Sequence, residues 1–265
     1  MTDDSELSDV EKMLAKYSEP VSVKEKPPYL KSLIYGFRKT GKTIMAAKVT
    51  ERPLLVACDA GWISLRDWPE LQHVEIVEYQ GLKHFDLLSK AIRDDVKLYR
   101  EFDHVIVDPL STAAYEYIAY LQENFSPSGP DTRITWIPKA GSKEKAFTTS
   151  GITDYNALLQ SFRGPIMRLG LAHKDVTYIC HVKDPSFMNP KDKSIKPNLP
   201  GSLASLLQKE VGVIGYVEAD GDKRTVSMRA TADEDSGSWL RKLHGKKVPV
   251  EQYPEFIRRW KEGTL

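Results

Sequence analysis

A run of eight residues carries the pattern in this sequence that is most specific for chemistry. Residues 36–43 read Gly-Phe-Arg-Lys-Thr-Gly-Lys-Thr and match the pattern G-x-x-x-x-G-K-S/T at every fixed position. Glycines let the backbone come close to an anion, so that successive N–H groups and the start of the following helix point at phosphate oxygens. Lys42 can reach the β- and γ-phosphates, and the Thr43 hydroxyl can bind Mg²⁺. The run predicts a site for ATP with Mg²⁺.

The neighbouring residues support this interpretation over an ordinary glycine-rich turn. The match follows the apolar run Leu33-Ile34-Tyr35 and opens the helix-forming run 44–48, which is the strand–loop–helix context that a phosphate loop requires. The residues predicted to bind the nucleotide are Gly36, Phe37, Arg38, Lys39, Thr40, Gly41, Lys42, Thr43 and Ile44.

Three polar residues at the ends of other apolar runs could complete the site. Asp108 ends the run His104–Val107 and could organise Mg²⁺, although an aspartate there can also be a simple cap. Asp59 follows Leu54–Cys58 and could orient the attacking water, or could only form a turn before Ala60-Gly61. His181 ends Val176–Cys180 and could bond the γ-phosphate, or could be a buried and satisfied histidine. We therefore predict catalytic roles for Lys42, Asp59, Asp108 and His181, with Glu78 the alternative to Asp59.

Short apolar strands alternate with helical segments from residue 29 onward, which predicts an α/β fold with a mainly parallel sheet covered on both faces. The strands are predicted at Leu30–Tyr35, Leu54–Cys58, Val74–Tyr79, His104–Val107, Val176–His181, Val211–Glu218 and Thr225–Ala230. The helices are predicted at Lys42–Thr50, Lys83–Arg100, Ala113–Asn124 and Asp154–Leu171. The last two strands can form an antiparallel hairpin through residues 220–222.

The domain organisation follows from the composition. Residues 1–28 are a polar segment, either a short amphipathic helix or a frayed tail; residues 29–245 form the main domain, and 246–265 a C-terminal tail with a short helix. The net charge of +1 does not by itself indicate a protein that binds nucleic acids. No apolar run approaches the roughly 18 residues that span a bilayer. The acidic N-terminus does not have the pattern of a signal peptide, so we expect no membrane contact. Cys58 and Cys180 are predicted to be reduced core residues, which favours a cytoplasmic location.

Two long stretches, 126–150 and 183–200, are predicted as loops, and loops of this length are usually functional or disordered. Four cations against Glu144 give residues 132–145 a local charge of +3, and four lysines against Asp184 and Asp192 give residues 183–196 a charge of +2. Trp136, Phe147 and Phe187 lie among these charges.

The assembled motifs resemble the RecA/Rad-type recombinase fold, and more closely the phage-encoded RecA-like ATPases of the single-strand-annealing type. The resemblance spans roughly residues 29–231 and is carried, in order, by LIYGFRKTGKT from Leu33, LLVACDAG from Leu54, VIVDPLS from Val105, YICHV from Tyr178 and PNLPGSL from Pro197. It implies a RecA-like P-loop NTPase fold and an Mg²⁺-dependent ATPase. Asp59 stands where the family usually has glutamate, and His181 where RecA has a glutamine that couples ATP to a DNA-binding loop.

The resemblance also implies partners: single-stranded DNA, and further copies of the chain in a ring or filament. It implies DNA contacts in the two basic stretches, for which the candidates are Arg133, Trp136, Lys139, Lys143, Lys145, Lys183, Phe187, Lys191, Lys193 and Lys196. A neighbouring subunit would supply a cation to the site, with Lys223, Arg224 and Arg229 as candidates.

Three functions are compatible with these features. The first is ATP-dependent recombination or annealing on single-stranded DNA, in the cytoplasm of a bacterial host if the protein is phage-encoded. The second is a nucleotide-switched interaction or assembly factor, such as a helicase loader or a phage assembly ATPase. The third is a small-molecule kinase. It would need an arginine-rich lid, and Arg133 is the one arginine in residues 126–150, which argues against this function.

Overall fold

The structure, a computed structural model, describes residues 29–129, 134–141, 144–149, 154–183, 195–200, 202–230 and 235–265. The predictions for the segment 1–28, and those for Arg133, Lys143, Phe187, Lys191 and Lys193, lie outside the described residues.

Nine strands within the described ranges form one sheet. They are β1 (Lys31–Gly36), β2 (Pro53–Ala57), β3 (Glu75–Glu78), β4 (His104–Asp108), β8 (Asp175–His181), β9 (Val213–Asp220), β10 (Lys223–Ser227), β11 (Gly237–Ser238) and β12 (Lys247–Pro249). The sheet order is β12-β10-β9-β1-β8-β4-β2-β3, with β11 also paired to β9. From β9 to β3 the neighbours are parallel, and β9 pairs antiparallel with β10. The mainly parallel sheet and the C-terminal hairpin are confirmed.

Helices cover both faces of this sheet. They are α1 (Lys42–Ala47), α2 (Leu82–Arg93), α3 (Lys97–Arg100), α4 (Leu110–Asn124), α5 (Asp154–Leu171), α6 (Leu203–Glu210) and α7 (Tyr253–Lys261), with short 3-10 helices at Ala60–Asp67, Pro69–Leu71 and Val250–Gln252. Alternate strand residues face opposite layers, because successive side chains of a strand point to opposite faces. In β4, Val105 and Val107 pack with α2, α4 and α5, whereas Ile106 packs with α1 and the first 3-10 helix.

The helix predicted over Lys83–Arg100 is interrupted. It ends at Arg93, and α3 begins at Lys97, because Asp95 adopts the left-handed conformation with φ 50°. Aspartate tolerates this conformation and is a weak residue in helix interiors. Helix α6 was not predicted, although Leu203 and Leu207 recur at helical spacing and are both buried.

The stretch 126–150 is not the loop that its composition predicted. Most of its described residues lie in a second sheet, which is antiparallel and consists of β5 (Phe125–Ser128), β6 (Ile134–Pro138) and β7 (Phe147–Thr149). Ile134 and Trp136 point inward along β6 and are buried in the main core. The alternation of Ile134 and Trp136 with Thr135 was the available signal for a strand.

The C-terminal residues are packed onto the phosphate-loop side of the sheet. Strand β12 pairs with β10, and Tyr253 and Ile257 of α7 are buried in one cluster with Met45 of α1. The side chain of Val250 also lies beside the phosphate loop, with its Cγ1 atom 3.8 Å from the point where a Cβ on Gly41 would stand. This segment therefore supports the helix that follows the loop.

Candidate nucleotide-binding site

A cavity of about 500 Å³ lies at the carboxyl edge of the central sheet. Parallel strands place their ends at one edge, and ligands of open α/β sheets bind there. The structure brings Lys42, Asp59, Asp108 and His181 together in its wall, and the remaining lining residues are Arg38, Lys39, Thr40, Gly41, Thr43, Ile44, Gly61, Ser64 and Arg224.

The bend of the phosphate loop depends on backbone conformations that few residues adopt. Gly41 has φ 85°, in the left-handed region that glycine accepts without strain. Lys39 also has a positive φ, 63°, which costs about 1–3 kcal/mol and is typical of functional loops. Gly36 is required for a different reason, because a Cβ there would lie 2.5 Å from the carbonyl oxygen of Val217 on β9. The first glycine therefore serves strand packing as well as the loop.

Lys42 occupies the inside of the loop. Its ammonium donates hydrogen bonds to the carbonyl oxygens of Phe37 at 2.6 Å and Gly36 at 3.1 Å. Burial lowers the pKa of Lys42 to about 8, a shift that the negative charge of Asp108 partly offsets. Within the described part of the chain, no carboxylate lies within ion-pair distance of this ammonium. A phosphate fits this site because it would supply the missing anion.

The two residues predicted to bind the metal are in direct contact. The Thr43 hydroxyl donates a hydrogen bond to Oδ2 of Asp108, which ends β4 as the sequence predicted. Burial raises the pKa of Asp108 to about 6, while the Thr43 hydrogen bond and the Lys42 charge act in the opposite direction. Hydroxyl and carboxylate oxygens are ligands that Mg²⁺ accepts, completed by water and phosphate oxygens. Among the described residues, no group of three or more His, Cys, Asp or Glu side chains could hold a metal alone.

Asp59 reaches the cavity from the end of β2 and also shapes its own turn. Its Oδ1 accepts a hydrogen bond from the Gly61 backbone N–H at 2.7 Å, so that it caps the 3-10 helix Ala60–Asp67. Glu78 is exposed at the end of β3 and is not among the residues that line the cavity. The sequence did not indicate Glu116 of α4. Burial raises the pKa of Glu116, and so does the negative charge of Asp59, so the two carboxylates lie near enough to interact.

We expect Asp59→Asn to keep nucleotide binding and to lose most of the turnover. The amide preserves the size of the side chain and the oxygen that accepts from Gly61, but it cannot draw a proton from an attacking water. A positioned base contributes about 10²–10⁴-fold to a rate, and turnover measured beside nucleotide affinity separates the two effects. Glu116→Gln is the matched control. Full turnover in Asp59→Asn together with a loss in Glu116→Gln would assign the role to Glu116.

His181 lies opposite Gly36 in the register of β8 and β1. Its backbone N–H donates to the Ser111 hydroxyl at 3.3 Å, and its Nδ1 atom is buried with no hydrogen-bond partner among the described residues. Burial and the nearby charges of Lys42 and Arg38 lower the pKa of His181, which keeps the ring neutral at neutral pH. A neutral imidazole carries a proton on one of its two nitrogens, so the ring could donate one hydrogen bond to a phosphate oxygen.

Arg224 reaches the loop of its own chain. Its Nη1 atom lies 3.4 Å from the point where a Cβ on Gly41 would stand, and the side chain lines the cavity. Lys223 and Arg229, the other candidate cations, are exposed and are not among the described residues that form the cavity wall. The resemblance implied a cation from a neighbour, whereas the geometry supports a role for Arg224 within the same chain.

The candidate DNA contacts have different surroundings. The prediction that Trp136 contacts DNA is wrong. Its side chain is 2% exposed and stacks on Phe147 with the ring centroids 6.0 Å apart, so its ring is unavailable to a base. Lys139 is exposed and donates from Nζ to the Gln122 carbonyl oxygen at 2.6 Å. Lys145, Lys183 and Lys196 are exposed.

A bent loop that encloses a buried lysine, beside a threonine–aspartate pair at the end of a parallel strand, places the chain among the P-loop ATPases. Comparison with protein families then matches residues 29–238 to the AAA domain. Because the match covers well over half of the chain, the chain belongs to this family of nucleotide-binding ATPases. A search of curated proteins finds no match. No helix among the described residues is long and apolar enough to cross a membrane.

Proposed function

We propose that the protein is a RecA-like, Mg²⁺-dependent ATPase that acts on single-stranded DNA in recombination or annealing, as a homo-oligomer. If the protein is phage-encoded, as the resemblance implies, it would act in the cytoplasm of a bacterial host. Lys42 and the loop N–H groups would hold the β- and γ-phosphates, and Thr43 and Asp108 would hold Mg²⁺. The metal would neutralise charge that develops on the phosphates. Asp59 would orient the attacking water, and Arg224 would contact the γ-phosphate.

The observation that carries this proposal is the position of His181 between two cavities. The second cavity, of about 640 Å³, is lined by Phe37, Arg38, His181, Val182 and Asn198, and it shares Arg38 and His181 with the nucleotide cavity. A ligand of the second cavity would therefore touch the residue that lies beside the γ-phosphate. This shared wall is a physical route for coupling between ATP and a second ligand.

The surface around the second cavity suits single-stranded DNA. Lys183 and Lys196 are exposed and adjacent, since the Lys183 N–H donates to the Lys196 carbonyl at 3.1 Å directly beyond His181. Phe37 is 48% and Tyr115 43% exposed, and the Tyr115 hydroxyl donates to Oδ1 of Asn198 at 2.9 Å. Proteins that bind single-stranded DNA combine cations that follow the phosphate backbone with aromatic rings that stack on the bases.

Single-stranded DNA is expected to stimulate ATP turnover and to bind in a salt-dependent manner. Replacing both Lys183 and Lys196 by alanine should flatten the slope of log affinity against log salt by about 1.4, since each single-strand phosphate contact contributes about 0.7. Lys90→Ala, an exposed lysine in the last turn of α2 and away from the carboxyl edge, should leave the slope unchanged.

The competing function is a nucleotide-switched assembly factor, which the net charge of +1 favours. It predicts ATP binding with negligible turnover, no DNA stimulation, and a protein partner that co-purifies in the presence of ATP. Absence of DNA stimulation together with salt-independent DNA binding would reject the recombination proposal in favour of this one.

A further inference from the structure

A third cavity lies at the carboxyl edge of β3, between α2, α4 and the second sheet. Its volume is about 660 Å³, within the range of roughly 300–1,000 Å³ that ligand pockets occupy. It shares no lining residue with the nucleotide cavity. The phosphate-binding chemistry described above makes no use of it.

Aromatic rings form much of its wall. Tyr117 and Tyr120 stack with their centroids 6.1 Å apart, and Phe125 meets Phe147 edge-on at 5.2 Å. Tyr79 closes the end nearest the central sheet. Burial raises the pKa of Tyr120 to about 12, as does its hydrogen bond with Glu144, so its hydroxyl stays protonated at neutral pH. Flat, apolar faces with protonated polar edges suit a flat heteroaromatic ligand.

Charged groups of both signs stand around the cavity. Lys83 and Lys145 are exposed at its rim, and Glu116 and Glu144 provide carboxylates. Asp86 is paired with Arg168, and Glu144 is hydrogen-bonded to Tyr120. The cavity therefore offers cations that can reach phosphates outside it and, in Glu116, a carboxylate that can accept a hydrogen bond at its edge.

The cavity is connected to the catalytic residues. The Tyr79 backbone N–H donates to the Ala57 carbonyl at 2.8 Å, and Ala57 ends the strand that leads to Asp59. Glu116 lines the cavity, and its negative charge interacts with that of Asp59. A ligand in the cavity would thus contact Tyr79, which is bonded to the strand that leads to Asp59, and Glu116, whose charge interacts with that of Asp59.

We propose that this cavity receives one unstacked base of single-stranded DNA, an inference that rests on the proposed function. Tyr120 supplies a stacking face, which accepts any base. Glu116 accepts a hydrogen bond from an exocyclic amino group, which cytosine has and thymine lacks. Lys83 and Lys145 contact the phosphates on either side of the inserted nucleotide.

Binding of a dC oligonucleotide and a dT oligonucleotide of equal length, measured by fluorescence anisotropy with a non-hydrolysable ATP analogue, tests the assignment. Tyr120→Ala should weaken dC binding about tenfold, the scale of a single base–aromatic stack, whereas Tyr120→Phe should bind as the wild type does. Trp239→Ala is the matched control, because this tryptophan is 68% exposed and donates from its backbone N–H to Gly212 at the opposite edge of the sheet. ATP affinity should be the same in all four proteins.

Base identity gives a second readout. Glu116→Gln should bring the ratio of dC to dT affinity closer to one than in the wild type, because the amide can both donate and accept. An oligonucleotide that carries 5-iodocytosine should, on irradiation, crosslink to the segment of α4 that contains Tyr120.

The outcomes separate this inference from the proposed function. If the wild type neither binds DNA nor responds to it, the proposed function fails. If the wild type binds DNA but Tyr120→Ala matches Trp239→Ala and the crosslink lies elsewhere, only the cavity assignment is overturned. Binding of free cytidine without binding of either oligonucleotide would also overturn it, in favour of a small-molecule acceptor site.

Discussion

Lys42→Ala is expected to abolish nucleotide binding and to reduce ATP turnover at least about 100-fold. This is the size of the rate loss when an enzyme loses a hydrogen-bond donor that stabilises charge developing in the transition state. The ammonium is the buried cation of the loop and lies across it, held by the carbonyls of Phe37 and Gly36. Alanine removes both the charge that meets the γ-phosphate and the bonds that hold the loop in its bend. The other cations of the cavity wall, Arg38, Lys39 and Arg224, have exposed side chains and do not occupy the inside of the loop.

The fold of Lys42→Ala should survive. The pKa of Lys42 falls from 10.5 to about 8 on burial, which means that the charged lysine opposes folding at neutral pH and that this opposition weakens as the pH rises through 8. Its removal is therefore not expected to lower the free energy of unfolding by much. Circular dichroism and a denaturant titration check the fold, and Lys48→Ala, at the far end of the same helix, is the matched control. Normal ATPase activity in Lys42→Ala would contradict the whole assignment of the site.

The residues of the phosphate loop could be predicted because their chemistry is local. Eight adjacent residues determine the bend, the anion-binding backbone and the lysine, so that no distant contact is needed. Asp108 follows from one further step, since a run of β-branched residues predicts a buried parallel strand whose end lies on the ligand side. Asp59 and His181 come to the same cavity for the same reason.

The residues that the sequence did not reveal depend on contacts between distant segments. Glu116 of α4 lies near enough to Asp59 for the two charges to interact, and this proximity depends on how α4 packs, which periodicity alone does not specify. Trp136 shows the opposite error, since its lysine-rich neighbourhood suggested exposure, but its place on an inward-facing strand position buried it. The position of Arg224 depends on the β9–β10 register, in which it pairs with Ala219.

Arg224→Ala is expected to lower the ATP turnover number about 1,000-fold, at the lower end of the effect of an arginine that stabilises transition-state charge. Its guanidinium stands beside Gly41 of the phosphate loop. There it could stabilise the charge that would develop on the γ-phosphate of a bound nucleotide. Nucleotide affinity should fall much less, because Lys42 and the loop N–H groups already hold the phosphates. Arg224→Lys should recover only part of the turnover, since an ammonium is a point charge and lacks the planar fork of guanidinium.

Mixing two inactive variants decides whether Arg224 acts within its own chain. Arg224→Ala keeps Lys42 and Lys42→Ala keeps Arg224, so an arginine supplied by a neighbour would restore activity at mixed interfaces. We expect no restoration, because Lys42 and Arg224 of one chain line the same cavity. Lys223→Ala, which changes the adjacent exposed cation, should keep wild-type turnover and serves as the control. Recovery of ATPase activity on mixing would show that the cation comes from a neighbouring subunit, and it would make oligomer assembly a requirement for hydrolysis.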